Sequence, residues 1–536
     1  MASTVKQTAL PLNPSEEHLD LAALEAWLWD AACAIRGATD APKFKDFILP
    51  LIFYKRLSDV FDDEFAEQVK LYGDEGLAWE IVSADHEDAL KSGRRGIVRF
   101  FIPREYHWNA IRNHPLDGLG QFVSEAMRAV ARQNPPLDGV INVRDYNERQ
   151  SGQRTIDDDR LSALIEIISR HRLGLKNAEP DILGRAYEYL LRKFAEGQGQ
   201  SAGEFYTPME VGRLMAELID PMPQAEIYDP ACGSGGLLIK ARQVYIQHNP
   251  DKADLAPKLS GQELNPTTYA MAKMNMFLHD YTDARIYLGD TLRNPQTAPK
   301  GAGLQRFDYV VANPMWNQDN YDENFYEADQ WGRFRYGIPP RSSADWGWVQ
   351  HILASLRDTG RAAIVLDTGA VSRGSGSKQT NKEKEIRRQF VEHDFIEAVI
   401  LLPENLFYNT SAPGIIMLLN RHKSEERKGQ ILLVNASAYF RKEKPKNVLT
   451  DEGIAAVVEV YHRWETRGKL SRVITIEEAR AADYNLSPSQ FVEVNDRATH
   501  RPLSEILADL SIARKEREQA DVALDAMLAR LGMGEV

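Results

Sequence analysis

Asp229-Pro230-Ala231-Cys232-Gly233-Ser234-Gly235-Gly236 is the stretch on which the fold of this 536-residue chain turns. It follows a short apolar strand, Ile227-Tyr228, and leads into a helix beginning at Leu237. Its glycines therefore form a strand-to-helix turn whose backbone can lie against a ligand. A dinucleotide fingerprint would need glycine at 233, 235 and 238, but position 238 is leucine. Glu263 ends the next strand, Leu259-Ser260-Gly261-Gln262-Glu263, where a carboxylate suits a ribose diol. NAD sites share that feature, so Glu263 alone does not discriminate. Further on, Phe307-Asp308-Tyr309-Val310-Val311-Ala312 reads as a buried strand followed by Asn313-Pro314-Met315-Trp316. That places an amide, a rigid proline carbonyl and a large aromatic at a strand's carboxyl end. Ligands of α/β sheets bind at carboxyl ends, so both segments are expected to line one crevice.

Working outward, strands are expected at 226–229, 259–263, 285–288, 307–311, 362–366, 395–402, 414–419 and 430–434. Helical runs separate the early ones, and Asp345 to Leu356 and Lys382 to Glu392 separate later ones. The last strands lack intervening helices, which suggests an antiparallel end to the sheet. Ahead of it, residues from about 18 to 165 read as mostly helical. Leu24, Trp27, Leu28, Ala31 and Ile35 make one helical stripe, and Phe44, Phe47, Ile48 and Leu51 the next. The polar run Asn147 to Arg154 marks a domain junction. Helices Leu161 to Ser169 and Ile182 to Phe194 follow, then a flexible loop, Gly197 to Gly203, and a helix from Met209 to Leu218. In the tail, Leu503, Ile506, Leu510, Ala513, Arg517, Ala520, Leu524, Met527 and Leu531 step by three and four, a heptad seam that favours a partner helix.

Composition is that of an ordinary globular protein, and no apolar run approaches the roughly 20 residues that span a bilayer. The N-terminus has no signal-peptide core. Only Cys33 and Cys232 are present, so a reducing cytoplasm is the natural compartment. No His/Cys cluster has metal-ligand spacing, and no metal is expected. The formal charge of −13 is the more telling figure. A protein that grips DNA alone usually carries a basic balance, because phosphate contacts dominate nonspecific affinity. Either DNA is not the substrate, or a second polypeptide contributes much of the grip.

The glycine turn and Asn313-Pro314-Met315-Trp316 together resemble the cofactor-binding and catalytic motifs of amino-methylating DNA methyltransferases. Most of the chain is similar to the modification (M) subunits of type I restriction-modification systems, in the class that methylates adenine N6. Leu28 to Glu64, with Lys55-Arg56-Leu57-Ser58-Asp59, resembles the family's helical domain. Glu204-Phe205-Tyr206-Thr207-Pro208 resembles its cofactor segment, and Leu402 to Phe407 a later family segment. The resemblance implies an α/β fold with a Rossmann-like methyltransferase sheet. The expected domains are an N-terminal helical domain (1–165), a catalytic domain (166–450) and a C-terminal helical region for subunit assembly (451–536).

It further implies S-adenosylmethionine as cofactor, contacted by Glu204, Phe205, Tyr206, Thr207, Pro208, Met209, Asp229, Ala231, Gly233, Ser234, Gly235, Gly236, Glu263 and Asp290. The implied partners are double-stranded DNA with its target adenine flipped out, a specificity (S) subunit, a second copy of M and, where present, a restriction (R) subunit. Adenine's exocyclic nitrogen is a poor nucleophile because its lone pair is delocalised into the ring. The Asn313 side-chain oxygen and Pro314 carbonyl can accept both amino hydrogens and turn that lone pair outward. Trp316 can stack on the extruded base. The family usually has a second proline where this chain has Met315. The same acceptor pair could serve cytosine N4 or a glutamine amide, and Met315 leaves room for a silent cofactor-binding scaffold. Residues 317–341 interleave aromatics with arginines and acids, which fits either DNA contact or an ordered loop.

Overall fold

In the computed structural model, the described residues are 19–492 apart from 37–43, 143, 151–152, 179–206 (save 186, 189 and 190), 282, 297–302, 408–409 and 445, with a few helical positions between 511 and 520. The loop expected at 197–203, most of the helix expected at 182–194 and most of the heptad seam lie outside them. Residues Met1–Val492 form one compact unit and Glu493–Val536 a second.

The N-terminal stripes bury as their spacing requires. Helix α1 (Leu21–Ala34) is capped by Asp20, which accepts from the Ala23 amide, and it buries Leu24, Trp27, Leu28 and Ala31. Helix α2 (Phe44–Tyr72) buries Phe47, Ile48 and Leu51 and continues through a charged but buried turn. There Lys55 pairs with Asp59, Asp59 accepts from the Leu173 amide at 2.6 Å, and Arg56 donates to the Leu173 and Gly174 carbonyls. Buried charges persist only when paired and hydrogen-bonded, and here they clamp α2 to the chain beyond residue 170. Helix α3 (Asp158–Ile168) adds Leu161, Leu164, Ile165 and Ile168 to the same core, so the boundary expected near 165 falls inside a helix of the N-terminal body.

One nine-stranded sheet forms the rest: β1 (Glu226–Asp229), β2 (Lys258–Glu263), β3 (Arg285–Leu288), β4 (Phe307–Ala312), β5 (Leu356–Asp367), β6 (Ile396–Leu401), β7 (Gly414–Asn420), β8 (Gln430–Asn435) and β9 (Ser471–Thr475). Their spatial order is β3-β2-β1-β4-β5-β7-β6-β8-β9. Strands β1 to β5 are parallel, and β7 runs antiparallel between β5 and β6. The expected antiparallel end is present in β7 against β5 and β6 and again in β9 against β8, while β8 itself runs parallel to β6. Strand β9 lies in the region expected to be a helical assembly segment. Its Ser-Arg-Val-Ile-Thr composition, with only Ser471 and Ile474 buried, carries too weak an apolar signal and no two-residue alternation to announce a strand.

The order reverses between β1 and β4, the switch point at which open α/β sheets bind ligands. Helix α4 (Met209–Ile219) and helix α5 (Gly236–His248) pack together beside it. Helix α6 (Pro266–Leu278) packs on the N-terminal helical core and on the glycine turn alike. Its Met271 and Met274 lie in the N-terminal core, while its Asn275 donates to the Ser234 carbonyl of the glycine turn at 2.9 Å. Among the described residues no helix is long and apolar enough to cross a membrane.

Candidate active site

A cavity of about 310 Å³ opens at the carboxyl ends of β1, β2 and β4. It falls at the lower end of the roughly 300–1,000 Å³ usual for ligand pockets. The glycine turn forms one wall, held by its own amides. Ala231 N donates to Asp229 Oδ1 (3.0 Å), Cys232 N to the Gln262 carbonyl (3.0 Å) and Gly235 N to the Cys232 carbonyl (2.8 Å). Gly233 N donates to Glu263 Oε2 at 3.0 Å, and Asn265 N reaches the other oxygen at 2.7 Å. The Glu263 carboxylate is thereby fixed at the cavity wall. Gly235 has φ +82°, a conformation that strains any other residue, and a Cβ there would also meet Met276 Cε at 2.7 Å and push that side chain aside. At Gly236 a Cβ would meet nothing within 4 Å, because the backbone faces open space.

Asp229 is fully buried. Burial pushes its carboxyl up to about 8, with the Ala231 amide pulling down and the nearby Glu263 charge adding to the rise. Asp290 caps its own turn through the Arg293 amide (3.0 Å) and also accepts from the Tyr321 hydroxyl, 3.2 Å from both its oxygens. The capping and the cavity-lining readings of Asp290 hold together.

Asn313 stands at the end of β4 with 6% of its surface exposed. Its Nδ2 donates to Thr207 Oγ1 at 2.9 Å, and its Oδ1 accepts from Trp316 Nε1 at 3.2 Å. The Trp316 ring is half-buried and packs edge-on against Phe407, with centroids 5.0 Å apart at 70°.

The cavity brings together Thr207, Pro208, Met209, Asp229, Ala231, Gly233, Ser234, Gly236, Glu263, Asp290 and Asn313. Gly235, Pro314 and Trp316 adjoin lining residues in sequence but are not themselves among them, and Glu204, Phe205 and Tyr206 lie outside the described residues. Sequence reasoning missed Lys240, Asn265, Thr268, Thr291, Gln318 and Trp348, which also line it. Only Asn265 carried a signal, since Asn-Pro directly after a strand marks a helix cap, and its side chain accepts from the Thr267 and Thr268 amides. In the 317–341 segment, Tyr321, Tyr326 and Phe334 are buried with Leu292, Ala344 and Trp348. Arg333 is buried too, paired with Asp329 at 2.9 Å and donating to the Leu292 carbonyl. Those rings are packed inside the protein and are not available to stack on bases, while Arg335 and Arg341 remain exposed.

Residues 178–500 match the N-6 DNA Methylase family, and residues 24–168 match the HsdM N-terminal domain. The chain belongs to the N-6 DNA methylase family. Among its relatives, the type I restriction enzyme MjaVIII methylase subunit of Methanocaldococcus jannaschii is 36% identical over 88% of this chain and 78% of its own length. The HindI methylase subunit of Haemophilus influenzae is 31% identical over 77% and 92%. A crystal structure of the type I restriction-modification methyltransferase subunit of Streptococcus thermophilus aligns with a TM-score of 0.72 at 26% identity, covering 88% of this chain and 99% of that one. The chain joins a helical N-terminal region to a methyltransferase sheet, and its chemistry is methyl transfer.

Proposed function

We propose that the chain transfers a methyl group from S-adenosylmethionine to N6 of a flipped adenine in double-stranded DNA. The observation that carries this reading is the placement of Asn313. Its amide opens on the same cavity as the glycine turn and Glu263, across the switch point between β1 and β4. The residues present fit the cofactor. The turn exposes backbone at Gly236, Glu263 offers a fixed carboxylate to a ribose, and Asp290 with Tyr321 closes the side expected for the adenine. S-adenosylmethionine supplies a methyl group already activated on a sulfonium, so no nucleophile has to be generated. Asn313 Oδ1 and the Pro314 carbonyl accept the two amino hydrogens of the target base, strengthening the nitrogen lone pair as it attacks. Trp316, with its ring only partly buried, gives the base a surface to stack on.

Charge points to a partner, and the family resemblance says which. At −13 the chain lacks the electrostatic term that dominates DNA affinity, which calls for a second polypeptide to supply grip; the resemblance makes that polypeptide an S subunit in the cytoplasm, joined by a second M copy and, where present, an R subunit. Incubating the purified complex with unmodified DNA and analysing nucleosides by mass spectrometry tests the reading. N6-methyladenine is expected. N4-methylcytosine, or no methylated nucleoside at all, would overturn it. The chain purified alone is expected to bind DNA weakly and without sequence preference, and tight specific binding in a gel-shift titration would remove the need for the S subunit.

A further inference from the structure

A carboxamide can turn over by 180° at little steric cost, exchanging a carbonyl acceptor for an NH₂ donor. Only one of these orientations offers an acceptor to the amino group of a base, so the polarity of the Asn313 amide matters as much as its place. Two neighbours hold it. Trp316 Nε1–H can only donate, and it lies 3.2 Å from Oδ1. Turned over, the amide would set NH₂ against indole N–H, donor to donor, at a residue only 6% exposed. On the other side Thr207 Oγ1, 2.9 Å from Nδ2, accepts an amide N–H; a hydroxyl can also donate, so the indole sets the polarity and Thr207 satisfies the NH₂ that this polarity turns toward it. The indole is itself slotted in place. Phe407 packs edge-on against it, and Gly414 leaves it room, since a Cβ there would come within 3.0 Å of Trp316 Cη2 and 2.7 Å of Phe407 Cε2.

We propose that Trp316, through its indole N–H, and Thr207, through its hydroxyl oxygen, are positioning residues that lock the Asn313 amide with its remaining Oδ1 lone pair toward the substrate amine. The inference rests on the catalytic reading of Asn313 given above. A carbonyl oxygen has two lone pairs, and the indole occupies one, leaving the other for the base. Thr207 belongs to the cavity-lining run that starts α4, so order in that run and the polarity of the amide are one linked property. Trp316 then has two separable functions, a ring that stacks and an N–H that orients, and a phenylalanine keeps only the first.

The test uses the full chain in its assembled complex and compares Thr207→Val, Thr207→Ser and Trp316→Phe with the parent. Valine keeps the shape of threonine but cannot accept, so folding is checked by thermal melting and is expected to be near the parent's. Thr207→Val and Trp316→Phe should each lower kcat about tenfold, the scale of one misdirected hydrogen bond at the reacting group. KM for DNA should stay within about twofold, Kd for S-adenosylmethionine should change less than kcat even in Thr207→Val, whose side chain also lines the cofactor cavity, and Thr207→Ser should restore kcat. A loss confined to KM or Kd would make these residues ligand contacts and overturn the proposal, as would an unchanged kcat in both variants. Asn313→Ala separates the two levels. If it is inactive while both variants are fully active, only the positioning role falls. If it too is fully active, the catalytic reading falls with it.

Discussion

The glycine turn at 229–236 and the loop at 313–317 follow neighbouring strands and face one cavity, yet they are held by opposite means. The turn is a backbone object. The amides of Ala231, Cys232, Gly233 and Gly235 all find acceptors within it or on the adjoining β2 and its end. The loop is a side-chain object. Thr207 and Trp316 hold Asn313, and the fully buried Asp345 accepts from the Asn317 amide at 2.8 Å while Arg373 donates to its other oxygen at 2.6 Å. Burial pushes the Asp345 carboxyl up, and the Asn317 amide and the Arg373 charge pull it back. On the proposed function, the part that cradles the cofactor is held through backbone amides, and the part that presents one acceptor in one orientation is held by side chains with defined donors.

The comparison breaks most sharply at Asn313. Asn313→Ala removes an acceptor that matters most in the transition state, so turnover should fall by about 10² or more with cofactor affinity nearly unchanged. Single-turnover methyl transfer together with calorimetry checks both halves, and full activity would end the catalytic assignment. Glu263→Ala should show the converse. Loss of a charged acceptor costs roughly 1.5–3 kcal/mol of cofactor binding, while turnover at saturation stays close to the parent's. Unchanged affinity in calorimetry would leave Glu263 as a brace for the Gly233 and Asn265 amides alone.

Gly235→Ala tests whether the turn is truly a backbone device. Its left-handed φ and the 2.7 Å approach to Met276 Cε make any Cβ strained, at about 1–2 kcal/mol for the backbone conformation alone. Melting temperature and cofactor affinity should fall together, whereas a drop in turnover at saturating cofactor would show that the turn also shapes the catalytic loop.

The smallest effect is with pH. Asp229 keeps its proton up to about 8 when folded but loses it near 4 when unfolded. The folded state therefore binds the extra proton between those values, and stability present below about 4 is lost as pH rises through 8. Asp229→Asn should flatten that decline in a series of melting curves. S-adenosylmethionine carries net positive charge, so its binding favours the ionised carboxylate, and affinity should improve on the order of a few-fold from pH 6.5 to 8.5. No change in either the parent's affinity or its stability over that range would show that Asp229 titrates outside it.

The sheet was legible because its signals are local. Eight of the nine strands were expected, seven within a residue and β5 beginning six residues earlier than expected, at Leu356, since runs such as 309–312 and 414–419 are apolar on both faces as buried strands are. Strand β9, short and half polar, could be recognised only once β8 offered it an edge. The aromatic-rich segment at 317–341 stays ambiguous in the sequence for the same reason. Arginines beside aromatics look alike whether they face nucleic acid or, like Arg333, are buried against Asp329 and backbone carbonyls.

By itself, the sequence determined the glycine turn, the carboxylate that ends β2 and the Asn-Pro that follows β4. Each depends on residue type and on spacing along a strand or turn, and these are set by covalent geometry and short-range sterics. Only the tertiary structure decided which way the Asn313 amide points and which carboxylate in the cavity keeps its proton. Those depend on Thr207, distant in sequence, on Trp316 lying edge-on against Phe407, and on how completely Asp229 is shut away from water. Hydrogen-bond polarity and desolvation are properties of neighbours, and the neighbours exist only after the chain has folded.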